Sequence, residues 1–297
     1  MIKRTFLKDL INNPLKISKF HFEEISPILH DVKSILKDEN LLIDLHCTNI
    51  NKETLVIGDI HGNLESLLVF IEIIEKNKPE YVIFLGDLVD RGSYQLECLI
   101  LVLCLKILEP NRYYIIRGNH ETLEMNQAYG FYSEFIQKFR DFEDFNKILS
   151  VYEELPVCIR INDSILCLHG GIPTDYSILN KIIGLKPREI NEKINASIYQ
   201  IMWNDPKEEI TGFNQSYRGP GIFFFGKDVF DDFMIVNDLK YIIRAHECFI
   251  EGYKWFFNQR LLSIFSAANY RGSYFPNPAS YAIIKSDEII PKNLIIS

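Results

Sequence analysis

A single α/β domain built on two packed β-sheets is the architecture this sequence predicts. Three observations predict it: a strand–helix–strand–helix–strand run between residues 54 and 119, a succession of short strands in the second half, and the lack of any repeat, low-complexity tract or Gly/Ser linker. The chain has 297 residues, 47% apolar and 24% charged, enough to bury a large core and of ordinary globular composition, which excludes disorder, collagen and coiled coil.

Residues 1–50 read as mainly helical, with Pro27 suited to a first helical turn and Ile28, Leu29, Val32, Ile35 and Leu36 repeating on one face. TLVIGD (54–59) reads as a strand and NLESLLVFIEIIEKN (63–77) as a helix with Leu64, Leu67, Leu68, Ile71 and Ile74 inward. YVIFLGD (81–87), SYQLECLILVLCLKILE (93–109) and RYYIIRGN (112–119) follow as strand, helix and strand, which calls for a largely parallel sheet. A helical stretch runs from Glu121 to about Leu149. PVCIRI-ND-SILCLH (156–169) reads as a hairpin turning at Asn162-Asp163, with Cys158 opposite Cys167. Short strands at 222–226, 241–246, 253–257, 261–266 and 280–285 predict a second sheet packed on the first.

Charge and cysteine usage narrow the function classes. Lys and Arg number 32 against 40 Asp and Glu, a net charge of −8 that argues against a nucleic-acid or anionic-membrane binder. The apolar run Cys98–Leu105 is far short of the ~20 residues a membrane span needs, and Lys8, Asp9, Asn12 and Asn13 break any leader-like stretch, so a cytoplasmic location is expected. None of the six cysteines forms a CxxC pair, and Cys158 and Cys167 read as two small buried hydrophobes.

The chemistry sits where strands end. Three loops carry residues that no core selects: Gly58-Asp59-Ile60-His61-Gly62, Gly86-Asp87-Leu88-Val89-Asp90-Arg91-Gly92 and Arg117-Gly118-Asn119-His120-Glu121. In open α/β sheets ligands bind beyond the carboxyl ends of the strands, so these loops are expected to meet. Carboxylate, imidazole and amide oxygen form a mixed N/O set suited to Mn, Fe or Zn. His169 in LHGGIP and His246 in RAHE each end a strand and extend the set, whereas His21, His30 and His46 have no ligand-like context.

The blocks GDIHG, GDLVDRG, RGNHE, LHGGIP, WNDP (203–206), YRGPGIFFFG (217–226), RAHECFIEGY (244–253) and SAANY (266–270) resemble, in order, the signatures of the PPP family of serine/threonine phosphoprotein phosphatases. The resemblance implies a metallophosphoesterase fold, two packed mixed sheets flanked by helices, with a dinuclear metal site at the loops after the strands. It implies that Asp59, His61 and Asp87 hold one divalent ion and Asp87, Asn119, His169 and His246 the other, Mn²⁺ being expected in vitro with Fe or Zn as alternatives. Arg91 and Arg218 match the phosphate-clamping arginines, Asn119 also faces substrate, His120 with Asp90 matches the proton-donor pair, and Tyr270 matches a tyrosine over the site. The implied reaction is direct hydrolysis of a phosphoserine or phosphothreonine ester by a metal-bridging hydroxide, and no CX5R loop suggests a cysteine nucleophile.

The sequence departs from the family pattern at Ala268, where proline is usual, at Arg271, where many members have cysteine, and in GSYFPNPAS (272–280), which lacks acidic residues. We read residues 1–50 as a helical segment packed on a catalytic domain spanning 51–297. Phosphoproteins are the expected partners; no regulatory tail, regulatory subunit, nucleic acid or membrane is indicated. Two other readings stand beside this one: a dinucleoside polyphosphate hydrolase or other small-molecule phosphoesterase on the same scaffold, and a non-catalytic scaffold.

Overall fold

A computed structural model describes residues 2–48, 52–272, 274–286, 288–294 and 296. The expected boundary between residues 50 and 51 lies outside the described residues. The N-terminal segment holds α1 (Arg4–Asn12), a 3-10 helix (Pro14–Lys19) and α2 (Phe22–Leu36), but it also contributes a strand, β1 (Leu42–Leu45), which the helical reading did not include. Four residues are too few to show a two-residue alternation, and only the partner strand reveals them.

The predicted βαβαβ run is present as β2 (Thr54–Ile57), α3 (Leu64–Asn77), β3 (Tyr81–Phe84), α4 (Gln95–Leu108) and β4 (Tyr113–Ile115), with both strand pairs parallel. Asn63 caps α3 by accepting a 3.0 Å hydrogen bond from the Ser66 N–H. Leu64, Leu67, Ile71 and Ile74 face inward as expected, while Leu68 is only half-buried. α4 is apolar on nearly every side and is buried accordingly. Its one lysine, Lys106, is fully buried, ion-paired to Glu39 and donating to the Pro110 carbonyl at 2.8 Å, which ties the N-terminal segment to α4.

The next stretch divides into α5 (Leu123–Tyr129), α6 (Phe131–Phe139) and α7 (Phe142–Tyr152), broken where Gly130 (φ 119°) and Arg140 (φ 61°) take left-handed backbone. β5 (Cys158–Ile161) and β6 (Ile165–Leu168) form the expected hairpin with a different register: Cys158 pairs with Leu168, and Ile159 with Cys167. Asn162 and Asp163 both take positive φ, and Ser164 is an extra loop residue whose carbonyl accepts from the Lys240 and Tyr241 N–H groups. The three-residue loop shifts the pairing by one residue and sends the two cysteines to opposite faces, both as free thiols.

The remaining elements are α8 (Ile178–Ile182), a second 3-10 helix (Pro187–Glu189), α9 (Glu192–Trp203), β7 (Asp205–Pro206), β8 (Phe213–Gln215), β9 (Phe223–Phe225), α10 (Lys227–Val236), β10 (Tyr241–Arg244), β11 (Tyr253–Phe256), β12 (Leu261–Ile264), β13 (Ala279–Lys285) and β14 (Glu288–Leu294). Two mixed sheets result, ordered β1-β5-β6-β10-β12-β11 and β14-β13-β2-β3-β4. The expectation that the second sheet belongs to the second half is corrected: β13 pairs antiparallel with β2, and β1 pairs with β5. The 223–225 strand belongs to neither, forming a small third sheet ordered β7-β9-β8. Apolar side chains including Val56, Ile83, Ile159, Ile243 and Ile264 fill the space between the two large sheets. Helices α1 to α7 pack outside the second of these, and α8, α9 and α10 outside the first. Among the described residues no helix is long and apolar enough to cross a membrane.

Candidate metal centre

The loops following β2, β3, β4, β6 and β10 converge at one end of the sandwich. Left-handed backbone recurs there: His61 (φ 47°), Asp87 (50°), Asp90 (68°), Arg91 (75°) and His246 (70°) are all positive without being glycine. Close approach sets the glycines: a Cβ on Gly118 would fall 2.3 Å from Asp87 Oδ1.

Asp87 is the meeting point. Its Oδ2 lies 3.4 Å from His169 Nε2, 3.6 Å from His61 Nε2 and 3.9 Å from His120 Nε2. Asp59 Oδ2 lies 3.6 Å from His61 Nε2. His169 Nε2 is also 2.9 Å from Asn119 Oδ1 and 3.2 Å from His246 Nδ1. The donor atoms of His61, Asp87 and His120, and those of Asp87, His169 and His246, fall within 4.8 Å of one another.

Tautomers decide what this cluster can hold. A carbonyl only accepts, so His61 Nδ1, 2.8 Å from the Val89 carbonyl, and His169 Nδ1, 2.8 Å from the Leu85 carbonyl, carry their protons on that side. In its neutral form each ring turns an Nε2 lone pair toward carboxylate and amide oxygens that also only accept. Asp59 Oδ2 is buried with no hydrogen-bond partner. A knot of converging acceptors is what cations satisfy, and the mixed N/O donors suit divalent transition ions.

The protein's own charges strain the same groups. Burial and the Asp87 charge push Asp59 up to about 7, and burial with the neighbouring His120 takes His61 down to about 4. Burial opposes ionised Asp87, yet His169 and His120 outweigh it and hold the carboxyl below its usual range. Burial would also depress His169, but Asp87 lifts it to about 9. Cations bound among these groups favour ionised carboxylates and neutral imidazoles throughout.

Every residue singled out from the sequence lies at this centre. His120 Nδ1 is 2.7 Å from Asp90 Oδ2, and Asp90 is fixed in turn by the Phe131 N–H and by Asn126 Nδ2, each at 3.0 Å. Burial disfavours the His120 cation, but the Asp87 charge and the Asp90 hydrogen bond raise its pKa overall. The Tyr270 ring stacks on His61 at 5.2 Å between centroids. Arg91, Arg218, His120, Trp203 and Tyr270 line a cavity of about 250 Å³ over the cluster.

Four supporting residues were not assigned roles from the sequence. Glu121 accepts hydrogen bonds from the Asp87, Leu88 and Gly118 N–H groups at 2.8, 3.0 and 2.8 Å, locking two of the loops together. Asp205 bridges Arg218 Nε (2.6 Å) and the fully buried Arg244 Nη2 (2.8 Å). Tyr129 lies under Arg91, its ring centroid 3.7 Å from the guanidinium carbon. Glu121, Asp205 and Arg244 stand inside the RGNHE, WNDP and RAHECFIEGY blocks, a usable signal; nothing local marks Tyr129.

A family model of calcineurin-like phosphoesterases matches residues 53–249. The chain is 38% identical over 237 residues to the serine/threonine-protein phosphatase 4 catalytic subunit of Eremothecium gossypii, covering 79% of this chain and 75% of that one. Its identity to the corresponding subunit of Saccharomyces cerevisiae is 36% over 233 residues, 78% of this chain and 74% of that one. Among solved structures, a protein serine/threonine phosphatase from Saccharomyces cerevisiae superimposes with a TM-score of 0.86 at 26% identity, covering 100% of this chain and 97% of the other. A cold-active protein-tyrosine phosphatase from Shewanella shares the fold alone, at 14% identity and a TM-score of 0.60 over 88% and 84% of the two chains.

Proposed function

We infer, for a chain that belongs to the calcineurin-like phosphoesterase family and within it to the PPP phosphatases, that its reaction is hydrolysis of phosphoserine and phosphothreonine esters in proteins. The observation that carries the reading is the cluster of converging acceptors capped by two arginines within one cavity. Asp59, His61 and Asp87 would hold one divalent ion, and Asp87, Asn119, His169 and His246 the other, with Mn²⁺ serving in vitro. Ions bound there supply Lewis acidity and an activated water nucleophile at neutral pH.

The side chains supply the rest. Arg91 and Arg218 orient the phosphoryl oxygens and offset charge that builds on them, guanidinium forks matching phosphate geometry. His120 also reaches the first donor group, so its role needs an argument. Its Nδ1 is tied to Asp90, which orients the ring and supports the protonated form that donates from Nε2. It therefore protonates the departing seryl or threonyl oxygen. Tyr270 closes the site beside His61. We place residues 1–50 as a segment packed on a catalytic domain of 51–297, acting on cytoplasmic phosphoproteins.

The deciding experiment compares turnover of a phosphoserine peptide with that of diadenosine tetraphosphate by Mn²⁺-loaded protein. Faster turnover of the peptide is expected; preference for the dinucleotide would overturn the assignment.

A further inference from the structure

Beside Tyr270 stands Arg271, where the sequence departs from the cysteine that many family members carry. Its side chain lines the same cavity of about 250 Å³ as Arg91, Arg218 and His120. Arg218 is bound by Asp205 and Arg91 rests on the Tyr129 ring, so each is already held by a partner. Arg271 is exposed, and its Nη2 donates to the Cys248 carbonyl at 3.2 Å. Two carboxylates line the cavity among the described residues, and both are engaged elsewhere. Asp87 sits among the histidines, and Glu247 accepts from Arg244 Nη1 at 3.0 Å. Arg271 therefore brings an uncompensated positive charge to the cavity mouth of a chain whose net charge is −8.

The backbone beneath it is fixed. Asn277 is buried and clasps the loop at three points. Its Oδ1 accepts from the Tyr270 N–H at 2.9 Å and its carbonyl from the Asn269 N–H at 2.9 Å, while its Nδ2 donates to the Ala267 carbonyl at 2.8 Å. The Asn269 carbonyl accepts from the Gly272 N–H at 2.9 Å, which closes a four-residue turn with Tyr270 and Arg271 at its centre. Arg271 is thus presented from a pre-formed turn, and little ordering of the loop opposes binding.

We propose that Arg271 is a specificity residue that selects substrates carrying an anionic group, a carboxylate or a second phosphate, on a residue flanking the phosphoresidue. The proposal rests on the phosphatase reading above. Position decides the ligand: Arg91 and Arg218 take the phosphoryl group inside the cavity, and the exposed Arg271 meets what is joined to it. A guanidinium fork matches the paired oxygens of either anion.

The test uses the Mn²⁺-loaded full chain, p-nitrophenyl phosphate, and phosphoserine peptides in which each flanking position carries alanine, aspartate or a non-hydrolysable phosphonate. At low salt the wild type should favour an anion at one flanking position about fivefold in kcat/KM, mostly through KM, and less at high salt. The larger of the aspartate and phosphonate gains names the source of the anion. Arg271→Ala should abolish the preference, Arg271→Lys should keep part of it, and Arg271→Glu should reverse it in favour of lysine. Turnover of p-nitrophenyl phosphate should stay the same in all three variants. A flat scan in the wild type, or a preference that survives Arg271→Ala, would overturn the proposal. So would a parallel loss on p-nitrophenyl phosphate, which would make Arg271 a third clamp on the reacting phosphoryl group. Failure to hydrolyse any phosphoserine peptide would instead overturn the phosphatase reading itself.

Discussion

The two arginines over the metal centre are held in unlike ways. Arg218 is gripped by charge: Asp205 binds it at 2.6 Å and is itself bound at 2.8 Å by Arg244, which no solvent reaches. Arg91 has no such relay among the described residues; its guanidinium rests on the Tyr129 ring and its backbone N–H on the Tyr129 carbonyl at 3.2 Å. One wall fixes its cation by a buried ion network, the other by a flat aromatic face beside His120, whose ring lies 5.1 Å away. If both arginines clamp phosphate as proposed, a charge-held anchor and a ring-supported one share it, so a change to Asp205 should cost more than a change to Tyr129.

Asp87 belongs to both donor groups, so losing it erases the contrast altogether. Asp87→Asn should lower turnover by more than about 100-fold, because even outer partners of metal ligands cost roughly 10–100-fold. Added Mn²⁺ should rescue His61→Gln in part and Asp87→Asn hardly at all; steady-state rates across a Mn²⁺ titration check this.

The side chain of His120 tests the Tyr129 wall by chemistry. A seryl alkoxide needs a proton as it leaves, whereas p-nitrophenolate does not, so His120→Asn should slow phosphoserine-peptide hydrolysis about 10²–10⁴-fold and p-nitrophenyl phosphate far less. Both donor groups should keep their ions by metal analysis. Equal losses on the two substrates would mean that His120 binds phosphate or metal instead.

Sharpening the comparison takes paired variants. Arg91→Ala and Arg218→Ala should each cost on the order of 2–4 kcal/mol in kcat/KM with metal content unchanged. Asp205→Asn should reproduce most of the Arg218 loss, since it cuts the relay on both sides. The smallest effect is expected for Tyr129→Leu, about 0.5–2 kcal/mol for a lost cation–π support, read as weaker inhibition by inorganic phosphate.

Local chemistry made the metal centre legible. Tight loops after strands force Asp59, His61, Asp87, Asn119 and His120 into short blocks where glycines and polar residues stand together, so the sequence shows them at a glance. Tyr129 escaped because its role arises from packing on the distant Arg91; Arg244 opens the RAHE block, but its tie to Asp205 joins residues far apart in the chain. The hairpin register escaped for a similar reason: the loop takes in Ser164, whose carbonyl accepts from Lys240 and Tyr241 at the start of the distant β10. β14 was hidden by Pro291, a residue that argues against a strand interior and is tolerated here at the sheet edge opposite Ala282. The surplus apolar position Leu68 looked like core and lies instead in a surface trough, because its periodicity is the same in both cases.

The interleaving of the two large sheets bears on how the chain is made. β2 leaves the ribosome well before its antiparallel neighbour β13, with Ile57 waiting for Tyr281. Until then β2 presents an open edge of apolar residues, the kind of surface on which nascent chains stick together. The strand that leads into Asp59 therefore gains its full lateral support only once β13 has been made. Such distant pairing slows folding. Expression at reduced temperature or with chaperones should raise the soluble fraction, and a chain ending before Ala279 should collect as aggregate even though every proposed metal-binding residue is already in it.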